Sequence, residues 1–524
     1  MLCSSFYATM GNPPLTAHFT EADIASIRAA GRDPEQIAAQ AAMLRGKWKS
    51  VDIVRPAKCG DGIQQLHTYA QSNLIGLHAE AANAGRISTF VPASGSGTRL
   101  FQSFLTLYRE HETDLAHVRW RAARGDAIAK DAVVVLDNIR NFALWPALQS
   151  RGCLPDSLQQ IFQTLFSEGG LRYHELPKGL IPFHRYDNGV RTAFSEHLRE
   201  AAALSTDGEG LCRVHFTVAA SHKALFEGEW RRERTGMESN LRARFQLHFS
   251  VQSPQTDTIA VDHRGNIIRD RSGQIVFRPG GHGALLTNLA GADSDLVLIK
   301  NIDNVARADF LEEIVSVRRL ICGLLLLVER EVHDEVRRLR NGEDPQSAIQ
   351  LLAGRFGIRP IENLSTVEAS REYAIAQLNR PLRVCGVVGT LEHAGGRPFW
   401  VKTADRGPTL QIIEGAEVNL NDPHERRVFR RSRHFNPVDM ACSIRDVDGE
   451  PFDLEQFVVS TRAIIASKVV AGDPARVYEH PGLWNGSMGL WNTMFVEVPD
   501  AVFNPVKSLS DLWAPGHRAI DLDE

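Results

Sequence analysis

The feature that most constrains this fold is the alternation of short apolar segments with helical segments after residue 87. The apolar segments predict strands, and they read STFVPAS at 88–94, AVVVLD at 132–137, VHFTVAA at 214–220, FQLHFSVQ at 245–252 and LVLIKNIDNV at 296–305. Such alternation indicates an α/β sheet with substantial parallel content. A ligand of such a sheet is expected at the carboxyl ends of the strands.

The segments before and after this region show different residue patterns. Residues 20–44 predict two short helices that separate at Gly31 and are capped by Thr20 and Asp33, and residues 65–84 continue the helical pattern. A further helix is predicted after Asp309. Beyond 381 the glycines, aromatic residues and β-branched residues become denser. We therefore expect a helical N-terminal leader (1–86), an α/β domain (87–375) and a β-rich C-terminal region (376–524).

Composition excludes several classes of protein. A chain of 524 residues with 43% hydrophobic and 23% charged residues is typical of a globular protein with more than one structural unit. Its formal charge of -4 argues against a nucleic-acid partner. The longest apolar run, Leu320–Val328, is shorter than the roughly 20 residues that span a bilayer, and no secretion signal is recognisable. We expect a cytoplasmic protein that does not act at a membrane.

The seven cysteines are scattered singly, at Cys3, Cys59, Cys153, Cys212, Cys322, Cys385 and Cys442. Their number is odd and no C-x-x-C pair occurs. This pattern argues against a disulfide framework and against a zinc site.

The first candidate site is the stretch FVPASGSGTRLFQSF at 90–104, in which a strand is followed by Gly95, Ser96, Gly97, Thr98 and Arg99. Glycine lets a ligand approach the backbone, a helix N-terminus attracts anions, and an arginine can grip phosphate oxygens in two places. A dinucleotide fingerprint does not fit, because its third glycine falls at Leu100, and the Walker G-K-[ST] is missing. A structural strand-to-helix turn remains the alternative.

Three further charged residues lie in candidate loops. Lys178 stands in LPKGLIPFH at 176–184, Asp303 follows an apolar strand in KNIDNV, and Lys507 stands in VFNPVKSLSDL at 502–512. Taken singly, each also fits a structural role: the lysines as solvated turn charges, and Asp303 as a residue that ends a strand and begins a turn.

Together and in this order, these segments resemble the UTP-dependent hexose-1-phosphate uridylyltransferases, the UDP-glucose and UDP-N-acetylglucosamine pyrophosphorylases. Further segments resemble the same family: FSVQS at 249–253, RPGGHGALL at 278–286, QIIEGAEV at 411–418 and RHFNPVD at 433–439. The resemblance implies a Rossmann-like mixed sheet of the nucleotidyltransferase (GT-A-like) type. It also implies a reaction in which a sugar 1-phosphate attacks UTP, pyrophosphate leaves and a UDP-sugar forms.

The resemblance also implies a role for each matching residue. Arg99 and the turn at Gly95, Ser96, Gly97 and Thr98 would hold the leaving phosphates, Lys178 would bear on the α-phosphate, and Lys507 would orient the sugar phosphate. Asp303 would be the ligand of a Mg²⁺ cofactor. Gln252 would recognise uracil, and the Gly281, His282 and Gly283 loop would lie against the base. Glu414 and Asn436 would contact substrate.

The sequence departs from that family at two points. Nearly 80 residues separate Leu100 from Pro177, where the family has about a dozen, and Ala284 occupies a position that is acidic in the family. The full-length pattern, including GDGI at 60–63, also resembles an uncharacterised bacterial family known only as a domain of unknown function. The alternatives are therefore another nucleotidyl- or glycosyltransferase, or a non-catalytic protein that binds nucleotide sugars.

Overall fold

The computed structural model describes residues 19–360, 364–389, 395–403, 406–470 and 472–518, so the first 18 residues of the predicted leader lie outside it. The described chain has a mixed α/β fold with a large mixed sheet. It divides into two compact units. The first unit contains Met1–Leu77, Gln252–Val297 and Ile321–Val498, and the second contains His78–Val251, Leu298–Leu320 and Pro499–Glu524.

The strands are numbered in chain order. They are β1 Ile53–Pro56, β2 Lys58–Cys59, β3 Gly62–Gln65, β4 Ile87–Pro92, β5 Pro182–Tyr186, β6 Gly189–Thr192, β7 Leu211–Val218, β8 Arg244–Val251, β9 Ala260–Val261, β10 Leu296–Lys300, β11 Leu382–Val387, β12 Arg397–Lys402, β13 Pro408–Ile413, β14 Asp439–Ser443, β15 Ile464–Val470, β16 Asp473–Glu479 and β17 Asn492–Glu497.

The α-helices of the described residues are numbered in the same way. They are α1 Glu21–Ala29, α2 Pro34–Ala42, α3 Gln71–Asn83, α4 Gln102–Arg109, α5 Leu115–Ala123, α6 Ala127–Asp137, α7 Trp145–Gln149, α8 Leu158–Phe166, α9 Ala193–Ser205, α10 Lys223–Leu241, α11 Leu286–Ala290, α12 Leu311–Arg340, α13 Gln346–Leu351, α14 Val367–Leu378 and α15 Pro423–Arg430. Not one of them combines the length and the apolar character needed to cross a membrane.

In the second unit the strand order is β10-β4-β7-β8, and β7 runs parallel to both of its neighbours. A hairpin, β5–β6, stands apart from this sheet. The core behind the strands is rich in aromatic rings, with Phe194, Phe216 and Phe226 all fully buried. The carboxyl ends of β4 and β7 consequently lie at one edge, where the sequence predicts the ligand site.

In the first unit the strand order is β2-β3-β17-β11-β14. The first four strands pair in parallel, and β14 is antiparallel to β11. Two smaller antiparallel sheets, β1-β12-β13 and β15-β16-β9, belong to the same unit. The carboxyl ends of β3, β17 and β11 therefore share an edge, because parallel strands end on the same side.

Both helices predicted for residues 20–44 are confirmed, with the predicted caps. Thr20 and Asp23 form a reciprocal capping box at α1, and the Asp33 side chain accepts from the Glu35 N–H at α2. The predicted helix at 65–84 starts late, at Gln71. Gly62–Gln65 is instead a strand, because it pairs in parallel with β17.

The strand predicted at 132–137 is wrong, because this segment belongs to helix α6. The Asp126 side chain accepts hydrogen bonds from the N–H groups of Ile128 and Ala129, which fixes the start of the helix. The buried residues Ala129, Ala132 and Leu136 follow helical spacing. A short apolar run does not distinguish a buried strand from a buried helix. The predicted strands at β4, β7, β8 and β10 are present.

A buried ion cluster ties three elements of the second unit together. Glu200 on α9 accepts from the Lys300 Nζ at 3.0 and 2.9 Å and from Arg318 at 2.5 Å, and all three side chains are buried. Burial alone would raise the pKa of Glu200, but Lys300 and Arg318 lower it to about 2. The carboxylate therefore stays ionised and balances two cations at the end of β10.

Removing this carboxylate is expected to destabilise the protein. Glu200→Ala leaves Lys300 and Arg318 buried without their counter-charge, which costs about 3–5 kcal/mol in the free energy of unfolding. The control is Asp334→Ala, which breaks an exposed ion pair with Arg337 and should change that free energy by less than about 1 kcal/mol. Denaturant unfolding followed by tryptophan fluorescence measures both, and equal effects would contradict the assignment.

Candidate active site

Two lysines converge on one carboxylate oxygen in the second unit. The Nζ atoms of Lys178 and Lys507 each lie 2.8 Å from Oδ2 of Asp303. The side chains of Lys178 and Asp303 are 10% and 13% exposed, whereas that of Lys507 is 63% exposed. Three residues that the sequence singled out separately thus meet at one oxygen atom, where two amino groups share one carboxylate.

The turn after β10 positions Asp303 and also holds the segment that carries Lys507. The Val506 N–H donates to the Asp303 carbonyl at 3.0 Å, and Asn304 forms an isolated antiparallel bridge with Pro505. The Oδ1 atom of the buried Asn304 accepts from the Asn504 N–H at 2.9 Å. Backbone contacts, rather than the ion pair alone, therefore place Lys507 beside Asp303.

Lys178 is placed by the glycine turn. Its N–H donates to the Gly95 carbonyl at 2.9 Å, and the Gly97 N–H donates to the Leu176 carbonyl at 2.8 Å. Between these bonds, Ser96 and Pro177 form an isolated antiparallel bridge. The two stretches that the resemblance pairs are therefore side by side, although nearly 80 residues separate them along the chain.

The inserted residues fold as helices α4 to α8 and pack into the core of the second unit. Helix α6 also supports the segment around Lys507, since Ser510 donates to Asp131 on this helix. Beyond the end of the helix, the Phe142 ring stacks on Trp513. Asp511 accepts from the Lys507 N–H at 2.6 Å. The inserted helices therefore return the chain to the glycine turn, and they contact the segment that carries Lys507.

Charge interactions within the group shift its protonation equilibria. Burial would raise the pKa of Asp303, but the positive charges of Lys178 and Lys507 lower it below its ordinary value. Burial lowers the pKa of Lys178, and the neighbouring charge of Lys507 lowers it further, while Asp303 opposes this shift. Near neutral pH we therefore expect Asp303 to be ionised, with the charge of Lys178 depending on its neighbours.

The rest of the glycine turn faces solvent. Gly95, Ser96, Thr98 and Arg99 are exposed, and Thr98 donates its hydroxyl to the His174 carbonyl at 3.0 Å. Within the part of the chain that the structure describes, Arg99 has no side-chain hydrogen bond or ion pair. Helix α4 begins only at Gln102, so a turn of several residues separates it from the glycines.

A buried histidine pair, which no sequence pattern indicated, supports this region. The Nδ1 atom of His184 lies 2.9 Å from Oε1 of Glu196, and its Nε2 lies 2.8 Å from Nδ1 of His517. The Nε2 atom of His517 lies 3.2 Å from the carbonyl of Asn504. This chain of contacts joins residues more than 300 positions apart and fixes the segment that leads to Lys507.

The remaining predicted site residues belong to the first unit. Gln252 directly follows β8, and its Nε2 atom is buried without a hydrogen-bond partner among the described residues. His282 accepts from the Leu483 N–H at 3.1 Å and stacks on the Trp484 ring at 4.2 Å between centroids. Burial lowers the pKa of His282 to about 4, so its ring is neutral.

Backbone conformation and close packing restrict which residues fit in the loop around His282. Gly281 has a φ of 80°, and a Cβ atom on Gly283 would lie 2.0 Å from the Pro481 carbonyl oxygen. Both positions therefore require glycine. The loop is fixed against the segment that contains Pro481.

Glu414 and Asn436 both have protein partners. The Trp484 Nε1–H donates to Glu414 at 3.3 Å, and burial raises the pKa of Glu414. Asn436 is fully buried, donates to the Gly386 carbonyl at 2.8 Å and accepts from the Val438 N–H at 3.1 Å. Its amide thus supports the backbone, and its role toward substrate stays a prediction.

Comparison with known proteins identifies a family. A protein-family model described as a domain of unknown function (DUF4301) matches residues 20–518, which is nearly the whole chain. No curated protein matches the sequence.

Several solved structures resemble the chain at low identity. The UDP-N-acetylglucosamine pyrophosphorylase of Trypanosoma brucei is 14% identical, with coverage of 93% of this chain and 76% of that chain and a TM-score of 0.45. A mutant UDP-glucose pyrophosphorylase of Leishmania major, in complex with UDP-glucose, is 12% identical, with coverage of 94% and 78% and a TM-score of 0.48.

The contact between the glycine turn and the Lys178 segment can be tested by adding one methyl group. A Cβ atom on Gly97 would lie 2.7 Å from the Tyr173 carbonyl oxygen and 2.7 Å from Ile181 Cδ1. We expect Gly97→Ala to lower the free energy of unfolding by about 1–3 kcal/mol. The control is Gly95→Ala, whose Cβ atom meets no described atom within 4 Å. Thermal and denaturant unfolding compare the two, and a neutral Gly97→Ala would show that the two stretches are not in contact.

Proposed function

The chain belongs to the DUF4301 family, and we propose that it is a nucleotidyltransferase that joins a sugar 1-phosphate to UTP and releases pyrophosphate to give a UDP-sugar. One observation carries the proposal: Lys178 and Lys507 meet on Asp303 directly beside the Gly95–Gly97 turn. The order of the matching segments along the chain supports it. The GT-A-like type of sheet is part of the same proposal.

The reaction brings two polyanions together, and the site residues suit that task. Two like unit charges 4 Å apart repel by about 4 kcal/mol at an effective dielectric constant of 20. Two ammonium groups that share one carboxylate can turn toward phosphate oxygens without leaving an uncompensated buried charge. The exposed Lys507 has the freedom to do so, whereas Lys178 is held in place.

Each cation has a separate task in the proposed reaction. Arg99, exposed in the glycine turn, would hold the β- and γ-phosphates that leave as pyrophosphate. Lys178 would stabilise negative charge that develops at the α-phosphate, and Lys507 would orient the phosphate of the sugar for in-line attack. The attacking phosphate oxygen is already ionised near neutral pH, since its second pKa is about 6. No general base is required.

The residues present fit Mg²⁺ under one condition. Mg²⁺ is usually held by one or two carboxylates together with substrate phosphates. Asp303 supplies one carboxylate, and its Oδ2 atom accepts from two lysines, so the fit requires substrate phosphates to draw the exposed Lys507 away. Asp303 would hold the ion, which when bound would neutralise charge on the phosphates.

The specificity for uracil is proposed on narrower grounds. The buried Nε2 atom of Gln252, which has no hydrogen-bond partner among the residues that the structure describes, is suited to a hydrogen bond with a nucleobase carbonyl. The fixed loop around His282 is suited to packing against a base. Both roles, and those of Glu414 and Asn436 toward the sugar phosphate, derive from the resemblance of their segments.

The proposal predicts the effect of removing each lysine. With UTP, Mg²⁺ and a panel of sugar 1-phosphates, Lys178→Ala and Lys507→Ala should each lower the rate of pyrophosphate release about 10²–10³-fold, because each removes a charge that stabilises the transferring phosphate. The control is Lys402→Ala, an exposed lysine on β12, which should retain full turnover. Because Lys507 is 63% exposed, its loss should leave thermal unfolding almost unchanged.

Two outcomes would count against the proposal. Turnover that survives both lysine substitutions would remove these residues from the reaction. UTP binding without turnover of any sugar 1-phosphate or any other triphosphate would identify a non-catalytic nucleotide-binding protein.

The pKa shifts predict how UTP affinity depends on pH. Because burial lowers the pKa of Lys178, we expect affinity to fall on the alkaline side at a pH below the ordinary lysine value of about 10.4. Asp303→Asn removes a counter-charge and should move this fall to lower pH, whereas Lys507→Ala removes a like charge and should move it to higher pH. Calorimetric titration with UTP across the pH range measures both. Shifts in the same direction would contradict the assignment.

A further inference from the structure

A second group of reactive side chains, to which the proposed transfer assigns no role, lies in the first unit. The Sγ atom of Cys59 is 3.7 Å from Nε2 of His434, and that nitrogen is 3.3 Å from Oε1 of Glu497. The three potential ligand atoms all lie within 4.8 Å of one another. Thiol, imidazole and carboxylate are thus gathered at one point.

The spacing of these atoms matches a tetrahedral metal ion. With bonds of about 2.3 Å to sulfur and about 2.0–2.1 Å to nitrogen and oxygen, tetrahedral zinc separates sulfur from nitrogen by about 3.6 Å and nitrogen from oxygen by about 3.4 Å. The observed separations, 3.7 Å between Cys59 and His434 and 3.3 Å between His434 and Glu497, are close to both values. The third separation, between sulfur and oxygen, is at most 4.8 Å, so one ion could contact all three atoms once these two draw together.

The backbone holds the three residues at the edge where parallel strands end. Cys59 ends β2, and Glu497 ends β17, which pairs in parallel with β3. His434 is fixed through its neighbour Phe435, whose N–H and carbonyl both bond to Val388, the residue after β11. This is the edge of a parallel sheet at which ligands commonly bind.

The GDGI motif, which the proposed transfer does not explain, shapes this group. Gly60 and Gly62 have φ values of 77° and 97°, a conformation that favours glycine. A Cβ atom on Gly62 would lie 2.7 Å from Leu410 Cδ2. The motif thus forms the tight turn between β2 and β3 that presents Cys59.

A residue outside the group orients the carboxylate. The Nε2 atom of Gln65 donates to Oε2 of Glu497 at 3.0 Å, which leaves Oε1 facing His434. Metal-binding carboxylates are commonly held by such outer hydrogen bonds. Gln65, Gly60 and Gly62 also line an open cleft of about 670 Å³, which has the Arg55, Arg359 and Trp400 side chains in its wall.

We propose that Cys59, His434 and Glu497 bind one zinc ion. The mixed sulfur, nitrogen and oxygen set favours zinc over Mg²⁺ or Ca²⁺, which prefer oxygen ligands. Three protein ligands leave the fourth tetrahedral position for water or another small ligand, as in zinc sites that take part in chemistry rather than in structure alone. None of these three residues has an assigned role in the proposed nucleotidyl transfer, although His434 stands in the RHFNPVD segment two positions before Asn436.

Cobalt substitution tests the proposal without any variant. The full-length chain, stripped with a chelator, is titrated with Co²⁺ and then with Zn²⁺. We expect one Co²⁺ per chain, a thiolate-to-cobalt charge-transfer band, the intense visible bands of tetrahedral cobalt, and displacement by one equivalent of Zn²⁺. The absence of the charge-transfer band at saturating Co²⁺ would overturn the proposal.

Ligand variants test the identity of the residues. Cys59→Ser should abolish the charge-transfer band, and Cys59→Ser, His434→Gln and Glu497→Gln should each weaken Zn²⁺ binding at least about 100-fold, while Gln65→Ala should weaken it about 10-fold. Cys3→Ser and the exposed His67→Gln serve as matched controls and should bind as the unaltered chain does. Unchanged zinc affinity in Cys59→Ser would show that the ion binds elsewhere, and it would overturn the proposal.

Discussion

The carboxylate of Asp303 is the point on which the candidate active site depends. A buried carboxylate without partners is costly, and here the two lysines that stabilise it lie 125 and 204 residues away along the chain. Their convergence requires three loops to meet: the turn after β10, the Lys178 segment beside the glycine turn, and the segment that carries Lys507. Backbone contacts of Asn304, Pro505 and Gly95 hold those loops together. These contacts therefore fix the backbone positions of the two lysines and of Asp303.

Local patterns in the sequence predicted the local structure well. Thr20 and Asp33 marked helix starts because their side chains cap the N–H groups that follow them, and apolar runs marked β4, β7, β8 and β10. The prediction was wrong at 132–137, where the deciding interaction is the Asp126 cap rather than the apolar run itself. The strand Gly62–Gln65 escaped prediction because its pairing with β2 and β17, rather than a local pattern, defines it.

The candidate sites show the same division between local and distant information. Lys178, Asp303 and Lys507 were recognisable singly because each stands in a short distinctive segment, whereas their contact with one oxygen atom depends on tertiary structure. The scattered cysteines argued against a zinc site because only local spacing is visible in a sequence. Cys59 and His434 lie 375 residues apart, so no spacing rule reaches both of them.

The long insertion between the glycine turn and Lys178 has a consequence for the cooperativity of folding. Closing a loop of nearly 80 residues instead of about a dozen costs about 1.6 kcal/mol more in chain entropy. Helices α4 to α8 offset that cost by burying residues such as Phe104 and Phe162 in the core of the second unit. The stability of those helices is therefore part of the free energy that keeps Lys178 beside Gly95. A change in their packing would therefore affect the position of the glycine turn even though no residue of the turn is altered.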